Sequence, residues 1–447
     1  MRTDLRLALL LTRGSDRREW WRVTLTAVGA GLATGFGLAA VAVASLQGQY
    51  SIPLASGLLD QPGERSGVIL TLLLLLVPVL GFLGQCARIG AVHRDRRLAG
   101  LRLAGASPAQ VRRIAALEAG LACLLGSTVA TVFSVLFLLA QWQRPSAVVW
   151  VGFAVIALVV PLLGALVSTL ALRRVVASPL GWVRRVRPDG GRGPGLAFLG
   201  AALVILLMGL LMAPGHFGGF GTAPLLVFTV VILTGLGAVW LTGATARFTG
   251  RSLAARTGNP ATLIAAERLR DDPWAAARTH AAVLLVTVVG TGFMGIQQVL
   301  LDELRSRGRD QLAASMSFYT TGVDLTGAAV LVALAITLSA LAVGTAESLA
   351  TRRRGLAAQA AAGVPQTVLG RALLLETALP LAPAVALAGA GGMAISVLYA
   401  GFADGGGAVP LLPLLVPVAV YAACLLAAAT SLPLLRRSVH PAELRYV

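Results

Sequence analysis

Long uncharged stretches of apolar residues alternate with short arginine-rich stretches along the whole chain. About 20 apolar residues in a helix cross the hydrocarbon core of a bilayer. Such segments must satisfy their own backbone hydrogen bonds, so we expect helices. The pattern predicts an all-α integral membrane protein with about ten transmembrane helices. The candidate spans are 23–46, 67–87, 114–140, 147–171, 195–213, 223–246, 280–299, 325–346, 371–397 and 411–434.

The arginines indicate which side of the membrane each loop faces. If the N-terminus is cytoplasmic, 32 arginines fall in the predicted inner segments and 5 in the outer ones. Cytoplasmic loops carry the excess of basic residues, so we expect a plasma-membrane protein with both termini in the cytoplasm. The outer loops are short, the longest being about 47–66 and 300–324. Within the latter, the stretch from Leu301 to Asp324 is predicted to form one amphipathic helix on the outer surface.

Composition agrees with a membrane protein. Of the 447 residues, 57% are hydrophobic and 13% are charged, whereas a soluble domain has about 25% charged residues. A net charge of +18 could suggest nucleic acid binding. The basic residues are clustered at the predicted inner loops instead, so we expect no nucleic-acid partner. All 37 of them are arginine, and the chain contains no lysine.

Two basic stretches, Arg96–Gly120 and Arg354–Ala378, resemble each other. A shift of 258 residues pairs Arg94, Arg96, Gly105 and Glu118 with Arg352, Arg354, Gly363 and Glu376. The order of spans and loops around them also repeats. We therefore predict a 4+2+4 arrangement, in which two pseudo-symmetric four-helix units, 1–192 and 248–447, flank a two-helix connector at 193–247. The first unit includes an N-terminal amphipathic segment.

Each copy of the repeat predicts a short helical elbow on the cytoplasmic side. In the first copy, Gly105 suits a helix C-cap, Ser107 an N-cap and Pro108 the first helical position. The second copy keeps Gly363 but has proline one place earlier and no serine, so we expect a differently shaped or weaker cap. A positively charged loop that only sets topology is the alternative. Topology requires arginines, but it does not require glycine and glutamate at the same spacing twice.

These residues resemble the FtsX-like permease family of ABC transporters, which includes MacB-like and BceB-like exporters. The resemblance covers both four-span units, and the ten-span layout is similar to that of tandem BceB-like permeases. In this family the elbow acts as a coupling helix against the ATPase subunit. The resemblance therefore implies a coupling role for Arg96, Arg97, Gly105, Ala106, Ser107, Pro108 and Glu118 in the first elbow, and for Arg353, Arg354, Gly363, Val364, Pro365 and Glu376 in the second.

The resemblance also implies a function and a set of partners. The chain would be the permease subunit of an ABC transporter that exports an amphipathic, lipid-like or antimicrobial compound. Two copies of a separate ATPase subunit, which bind ATP and Mg, would be its partners, together with membrane lipid. The alternative is a mechanotransmission or signalling permease that regulates an extracytoplasmic partner. The small outer loops disfavour that role, and they also lack the extracytoplasmic domain of MacB-like and BceB-like members.

Several classes of enzyme and transporter are excluded or disfavoured by the sequence. A P-loop requires a lysine that reaches the β- and γ-phosphates, and this chain has none. The four histidines are scattered and form no H-x-x-x-H pair, which excludes a zinc peptidase of that type. The predicted spans carry essentially no ionisable residue away from their ends, which disfavours ion-coupled transport. We therefore expect no catalytic residue, and no metal or cofactor bound by this chain itself.

Overall fold

The structure is a computed structural model that describes residues 17–46, 48, 54–60, 62–86, 100, 103–141, 145–171, 223–306, 312, 314–402 and 410–438. Every regular element in these ranges is a helix. The prediction of an all-α protein is thereby confirmed for the described part of the chain. The polypeptide divides into two compact units, Met1–Arg187 and Pro188–Val447.

The first unit contains four long helices that pack around the first of them. They are α1 (Arg17–Ala44), α2 (Pro62–Cys86), α3 (Pro108–Gln141) and α4 (Ala147–Ala171). Helix α1 packs against the other three, and α3 packs against α4. The Ser127 hydroxyl of α3 donates to the Ala157 carbonyl of α4 at 3.0 Å. This polar side chain therefore serves helix packing, as small polar residues commonly do in membrane bundles.

One arginine organises the loop that joins α1 to α2. The guanidinium of Arg65 donates to the carbonyl oxygens of Leu46 at 3.0 Å, Gly48 at 2.8 Å, Leu59 at 2.6 Å and Asp60 at 2.7 Å. Only 2% of Arg65 is exposed. Because a buried carbonyl without a donor is costly, this side chain stabilises the loop as well as contributing charge.

The second unit contains the remaining helices. They are α5 (Ala223–Arg256), α6 (Pro260–Asp271), α7 (Pro273–Ser306), α8 (Met316–Thr351), α9 (Arg353–Ala361), α10 (Gln366–Phe402), α11 (Leu415–Ala429) and α12 (Leu432–Ser438). Helices α7 and α10 pack against each other and against α5. Their shared core includes Leu284, Leu341, Leu381, Ile395 and Cys424.

The two units share one packing order. In the first unit, α1 packs against α2, α3 and α4, and α3 packs against α4. In the second unit, α7 packs in the same way against α8, α10 and α11, and α10 packs against α11. Glycines allow the closest approach in both. A Cβ at Gly126 would overlap the Ala27 carbonyl, and a Cβ at Gly392 would lie 3.0 Å from the Gly292 nitrogen. Small residues at such crossings let membrane helices approach closely.

Eight helices in the described ranges have the length and composition of membrane spans. They are Val23–Ala44, Ala109–Gln141, Ala147–Leu166, Val230–Arg256, Pro273–Ser306, Met316–Thr351, Gln366–Gly401 and Leu412–Leu435. Each overlaps one of the predicted spans. Predicted span 67–87 coincides with most of α2, whereas 195–213 lies outside the described residues. The count of ten, with its 4+2+4 arrangement, stays a prediction.

Several helices continue well past the apolar runs that predicted them. Helices α7, α8 and α10 have 34, 36 and 37 residues, or about 50–55 Å at 1.5 Å per residue, against about 30 Å for the hydrocarbon core. The predicted separate outer helix is wrong: Leu301–Ser306 continue α7, and residues 316–324 begin α8. Helix α5 similarly crosses the predicted boundary between residues 247 and 248. Charged residues end an apolar run without ending a helix.

Candidate functional site

Elbow 2, which we define as residues 353–376, consists of the short helix α9 and the start of α10. Helix α9 ends in a Schellman motif at Gly363, whose φ is +88°. The Val364 amide donates to the Gln359 carbonyl at 3.1 Å, and the Gly363 amide donates to the Ala360 carbonyl at 3.0 Å. Glycine adopts this left-handed conformation without the strain that a Cβ would cause. The chain therefore reverses sharply at a fixed residue.

Elbow 1, defined as residues 96–118, turns at a glycine in the same way. Gly105 has φ of +97°, and α3 begins at Pro108. The Gln110 amide donates to the Ser107 hydroxyl at 3.2 Å, and the Ser107 amide donates to the Gln110 side-chain oxygen at 2.8 Å. This reciprocal pair is a capping box. The predictions of a glycine C-cap and a serine N-cap are confirmed.

The second elbow begins its membrane helix without such a cap. Pro365 precedes α10, and its carbonyl accepts from the amides of Val368 at 3.0 Å and Leu369 at 3.2 Å. A proline side chain has no hydrogen-bond acceptor to offer, as the sequence comparison of the two elbows indicated. Apolar packing supplies the support instead. Leu356 of α9 is 1% exposed and belongs to a cluster with Leu349, Leu369, Leu373 and Leu435, against which Val364 and Ile264 pack.

A group of charged and polar side chains joins elbow 2 to its neighbours. Arg352 Nη1 lies 2.8 Å from Glu376 Oε1 and 3.1 Å from Oε2. Arg268 Nη1 lies 3.4 Å from Glu376 Oε2, and Arg268 Nη2 donates to Gln359 Oε1 at 3.5 Å. We call Arg268, Arg352, Gln359 and Glu376 the Glu376 cluster. It connects α6, the end of α8, α9 and α10.

Partial burial makes the Glu376 cluster more than a solvated ion pair. The side chains of Arg268, Glu376 and Arg352 are 16%, 19% and 38% exposed. Burial lowers the pKa of Arg268, the Glu376 carboxylate raises it, and the charge of Arg352 lowers it again. Removal of one partner from a buried pair is costly because a charge is left without compensation. The carboxylate of Glu376 therefore holds two arginines in place.

The predicted site residues fall into three groups. Gly105, Ala106, Ser107 and Pro108 form the first turn, and Gly363, Val364 and Pro365 form the second. Helix α9 begins with Arg353, which is half-buried, and Arg354, which is exposed. Glu118 and Glu376 lie behind these turns, and Glu118 is 3% exposed. Arg96 and Arg97 lie outside the described residues, as does Arg94, which the repeat pairs with Arg352.

Sequence reasoning missed Arg268 and Gln359. Arg268 lies 108 residues before Glu376 and had been counted only as one of the inner arginines. A local signal did exist, because α6 buries Ala261, Ala265 and Leu269, and Arg268 shares that face at helical spacing. A charged residue on an otherwise apolar helix face indicates a buried partner.

The site has the character of a mechanical joint. Among the described residues, no group of three or more His, Cys, Asp or Glu side chains could hold a metal ion. What the arrangement provides is a short helix that follows α8 after a single residue and turns sharply at Gly363. Packing and ion pairs tie it to long membrane helices. A force applied to α9 would therefore be transmitted to α8 and α10.

Comparison with a family model finds a known domain type in the first unit. Residues 67–180 match the family model described as FtsX-like permease C-terminal. The match contains all of elbow 1 together with helices α3 and α4. A search of curated proteins finds no match for the chain. The first unit thus contains a segment similar to the FtsX-like permease domain, in a chain with eight membrane-length helices in its described part.

Proposed function

We propose that this chain is the membrane subunit of an ABC exporter that moves an amphipathic, lipid-like or antimicrobial compound. The observation that carries the proposal is the repeated elbow. In both units a helix breaks at a glycine of positive φ, Gly105 or Gly363, and a long membrane helix starts within three residues. The same rigid joint built twice suits two docking sites for an ATPase dimer.

The second elbow supports a coupling role through its connections. Movement of α9 passes to α10 through the Schellman turn and to α8 through the Leu356 packing and the Glu376 cluster. Helix α6 moves with them because Arg268 contacts both Gln359 and Glu376. An ATPase that closes on ATP and reopens after hydrolysis would thereby change the positions of three or more helices at once.

The energy source in this proposal is a separate pair of ATPase subunits. A standard P-loop requires lysine, and this chain has none among its 447 residues. ATP and Mg²⁺ therefore belong to the partner. Each elbow takes one ATPase, and both elbows and both termini lie in the cytoplasm. Apolar spans without ionisable groups near their centres favour an amphipathic cargo over a free ion.

Disruption of elbow 1 tests the coupling role directly. Replacement of Ala106–Ser107–Pro108 by three glycines removes the N-cap hydroxyl and the proline of α3. We expect loss of the ATPase stimulation that the permease gives its partner, measured on the reconstituted complex, while membrane insertion is retained.

The control for this experiment uses the same three residue types. Replacement of Pro145–Ser146–Ala147 by three glycines makes the same change of composition at the start of α4, at the predicted outer end of the bundle. This variant should keep the stimulation of the unaltered chain. Equal stimulation by both variants would remove the coupling role of elbow 1.

The orientation of the elbows has its own test. Ala109 and Gln366 are exposed at the starts of α3 and α10, so cysteines placed there would react if a reagent reached them. The natural Cys86, Cys123 and Cys424 are buried and give a low background. In intact cells an impermeant thiol reagent should label neither Ala109→Cys nor Gln366→Cys, and both should react after lysis. Labelling in intact cells contradicts the proposed orientation.

A further inference from the structure

Helices α5 and α6 border a cavity that is open to the surface and that the coupling role does not use. Its volume is about 360 Å³, and it is lined by Arg251, Ala254 and Ala255 from α5 and by Glu267 and Arg270 from α6. The two helices touch beside it. A Cβ at Gly250 would lie 2.8 Å from the Arg270 nitrogen and 3.0 Å from the Ala266 carbonyl oxygen. Gly250 thus holds Arg251 and Arg270 on facing walls of the cavity.

The charge of the cavity is positive. Arg270 forms an exposed ion pair with Glu267 at 3.3 Å, whereas Arg251 forms no ion pair with any described residue. The guanidinium of Arg251 is therefore left to attract an anion, and that of Arg270 can share its donors between Glu267 and the same anion. The guanidinium fork matches the geometry of a phosphate group.

The predicted end of the span at residue 246 places the cavity at the depth of the lipid headgroups, although α5 itself continues as a helix to Arg256. Arg251 follows the predicted end of the span at residue 246 by five residues, or about 7.5 Å along the helix. The headgroup layer on each side of the hydrocarbon core is about 5–7.5 Å thick. Phe248, which precedes Arg251 by three residues on the same helix face, is 73% exposed. An acyl chain can lie against Phe248 while its phosphate reaches the arginines.

We propose that this cavity binds the headgroup of an anionic phospholipid in the inner leaflet. The shared chemistry is a phosphate group, and the exposed aromatic residue next to the arginines favours a lipid over free phosphate. Basic pockets between membrane helices on the cytoplasmic side bind such headgroups, and this cavity offers the same chemistry between the membrane helix α5 and the short helix α6. The inference depends on the proposed orientation of the chain but not on ATPase docking.

The test measures lipid binding to the purified full chain in detergent by native mass spectrometry. Phosphatidylglycerol and phosphatidylcholine are titrated separately, and inorganic phosphate is added in competition. The unaltered chain should retain phosphatidylglycerol in preference to phosphatidylcholine. With each arginine contributing about fivefold, the double variant Arg251→Gln/Arg270→Gln should bind phosphatidylglycerol about 25-fold more weakly. Phe248→Ala should weaken lipid binding and leave any phosphate binding unchanged.

The matched control is Arg256→Gln/Arg278→Gln, which removes two exposed arginines that do not line the cavity. Its affinity for phosphatidylglycerol should stay within about twofold of the unaltered chain. Equal binding of both lipids, an equal loss in the control, or displacement of the lipid by inorganic phosphate overturns the proposal. The proposal would also be overturned if the Arg251→Gln/Arg270→Gln variant lost ATPase binding but kept its lipid binding, because this surface would then bind a protein. If the chain binds phosphatidylglycerol but recruits no ATPase, the lipid site stands and the proposed function is wrong.

Discussion

The two elbows reach the same backbone path by different means. Both turn at a glycine with φ near +90°, Gly105 and Gly363, and both lead directly into a membrane helix. Elbow 1 fixes that helix start with a capping box between Ser107 and Gln110. Elbow 2 has no serine and relies on the packed Leu356 and on the Glu376 cluster. The repeat therefore preserves the position of the turn, while the start of the following helix is stabilised differently in the two elbows.

The largest effect is expected from loss of the Glu376 carboxylate. Glu376→Gln leaves Arg268 and Arg352 next to each other without a counter-charge. We expect a cost of about 3 kcal/mol, at the low end for buried pairs because these side chains retain some exposure. Thermal unfolding of the purified chain should show a lower Tm, and ATPase stimulation should fall with it.

A second variant separates the cluster from general destabilisation. In the double variant Arg268→Gln/Glu376→Gln, part of the lost stability should return because Arg268 is no longer left uncompensated. Glu267→Gln affects the exposed pair of Glu267 with Arg270 on α6, the helix that also carries Arg268. This variant should change Tm little. If Glu376→Gln behaves like Glu267→Gln, the cluster does not hold elbow 2.

The next largest effect comes from the turns themselves. Valine at position 105 or 363 must adopt a positive φ, at a cost of about 2 kcal/mol. No atom lies within 4 Å of a Cβ built at either position, so the cost arises from the backbone alone. Gly105→Val and Gly363→Val should lower Tm by similar amounts.

Gly355→Val provides the matched control for the turns. Gly355 also has open space around it, but it lies within α9 at a helical φ, where valine is tolerated. This variant should keep the original Tm. An unequal response at positions 105 and 363 would show that the two turns are not mechanically equivalent.

The smallest effects concern the two caps, and they should have opposite signs. Ser107→Ala removes the acceptor for the Gln110 amide and should destabilise the chain by about 1 kcal/mol. Pro365→Ser introduces an N-cap hydroxyl where elbow 2 has none and should raise stability by about 0.5 kcal/mol. Tm measurements on the two variants decide the matter. A loss of stability in both would mean that the restricted φ of Pro365 contributes more than a cap would.

The sequence predicted the turns well because their determinants are local. Glycine at a C-cap and serine three residues before glutamine follow from the chemistry of one helix end. The apolar runs also placed most of the spans. Helix ends were harder to predict, since α5 continues past residue 247 and α7 past residue 300. The polar residues that end an apolar run can themselves be helical where the helix projects into water.

The Glu376 cluster could not be derived from spacing alone. Its members come from four helices, and Arg268 is separated from Glu376 by 108 residues. The repeat identified the pairing of Glu376 with Glu118 but gave no reason for a glutamate at that place. Only the packing of α6 against α10 brings the second arginine to the carboxylate. Because the repeat pairs Glu118 with Glu376 and Arg94 with Arg352, we expect a contact of Glu118 with Arg94, which lies outside the described residues.

We propose that one chain presents two equivalent docking joints, and the mass of the purified complex decides whether it does. Native mass spectrometry of the permease with its co-expressed ATPase gives the number of each subunit from the 45.9 kDa of this chain and the mass of its partner. We expect one permease chain with two ATPase subunits. A complex with one ATPase per permease chain, or with two permease chains per ATPase pair, would contradict it.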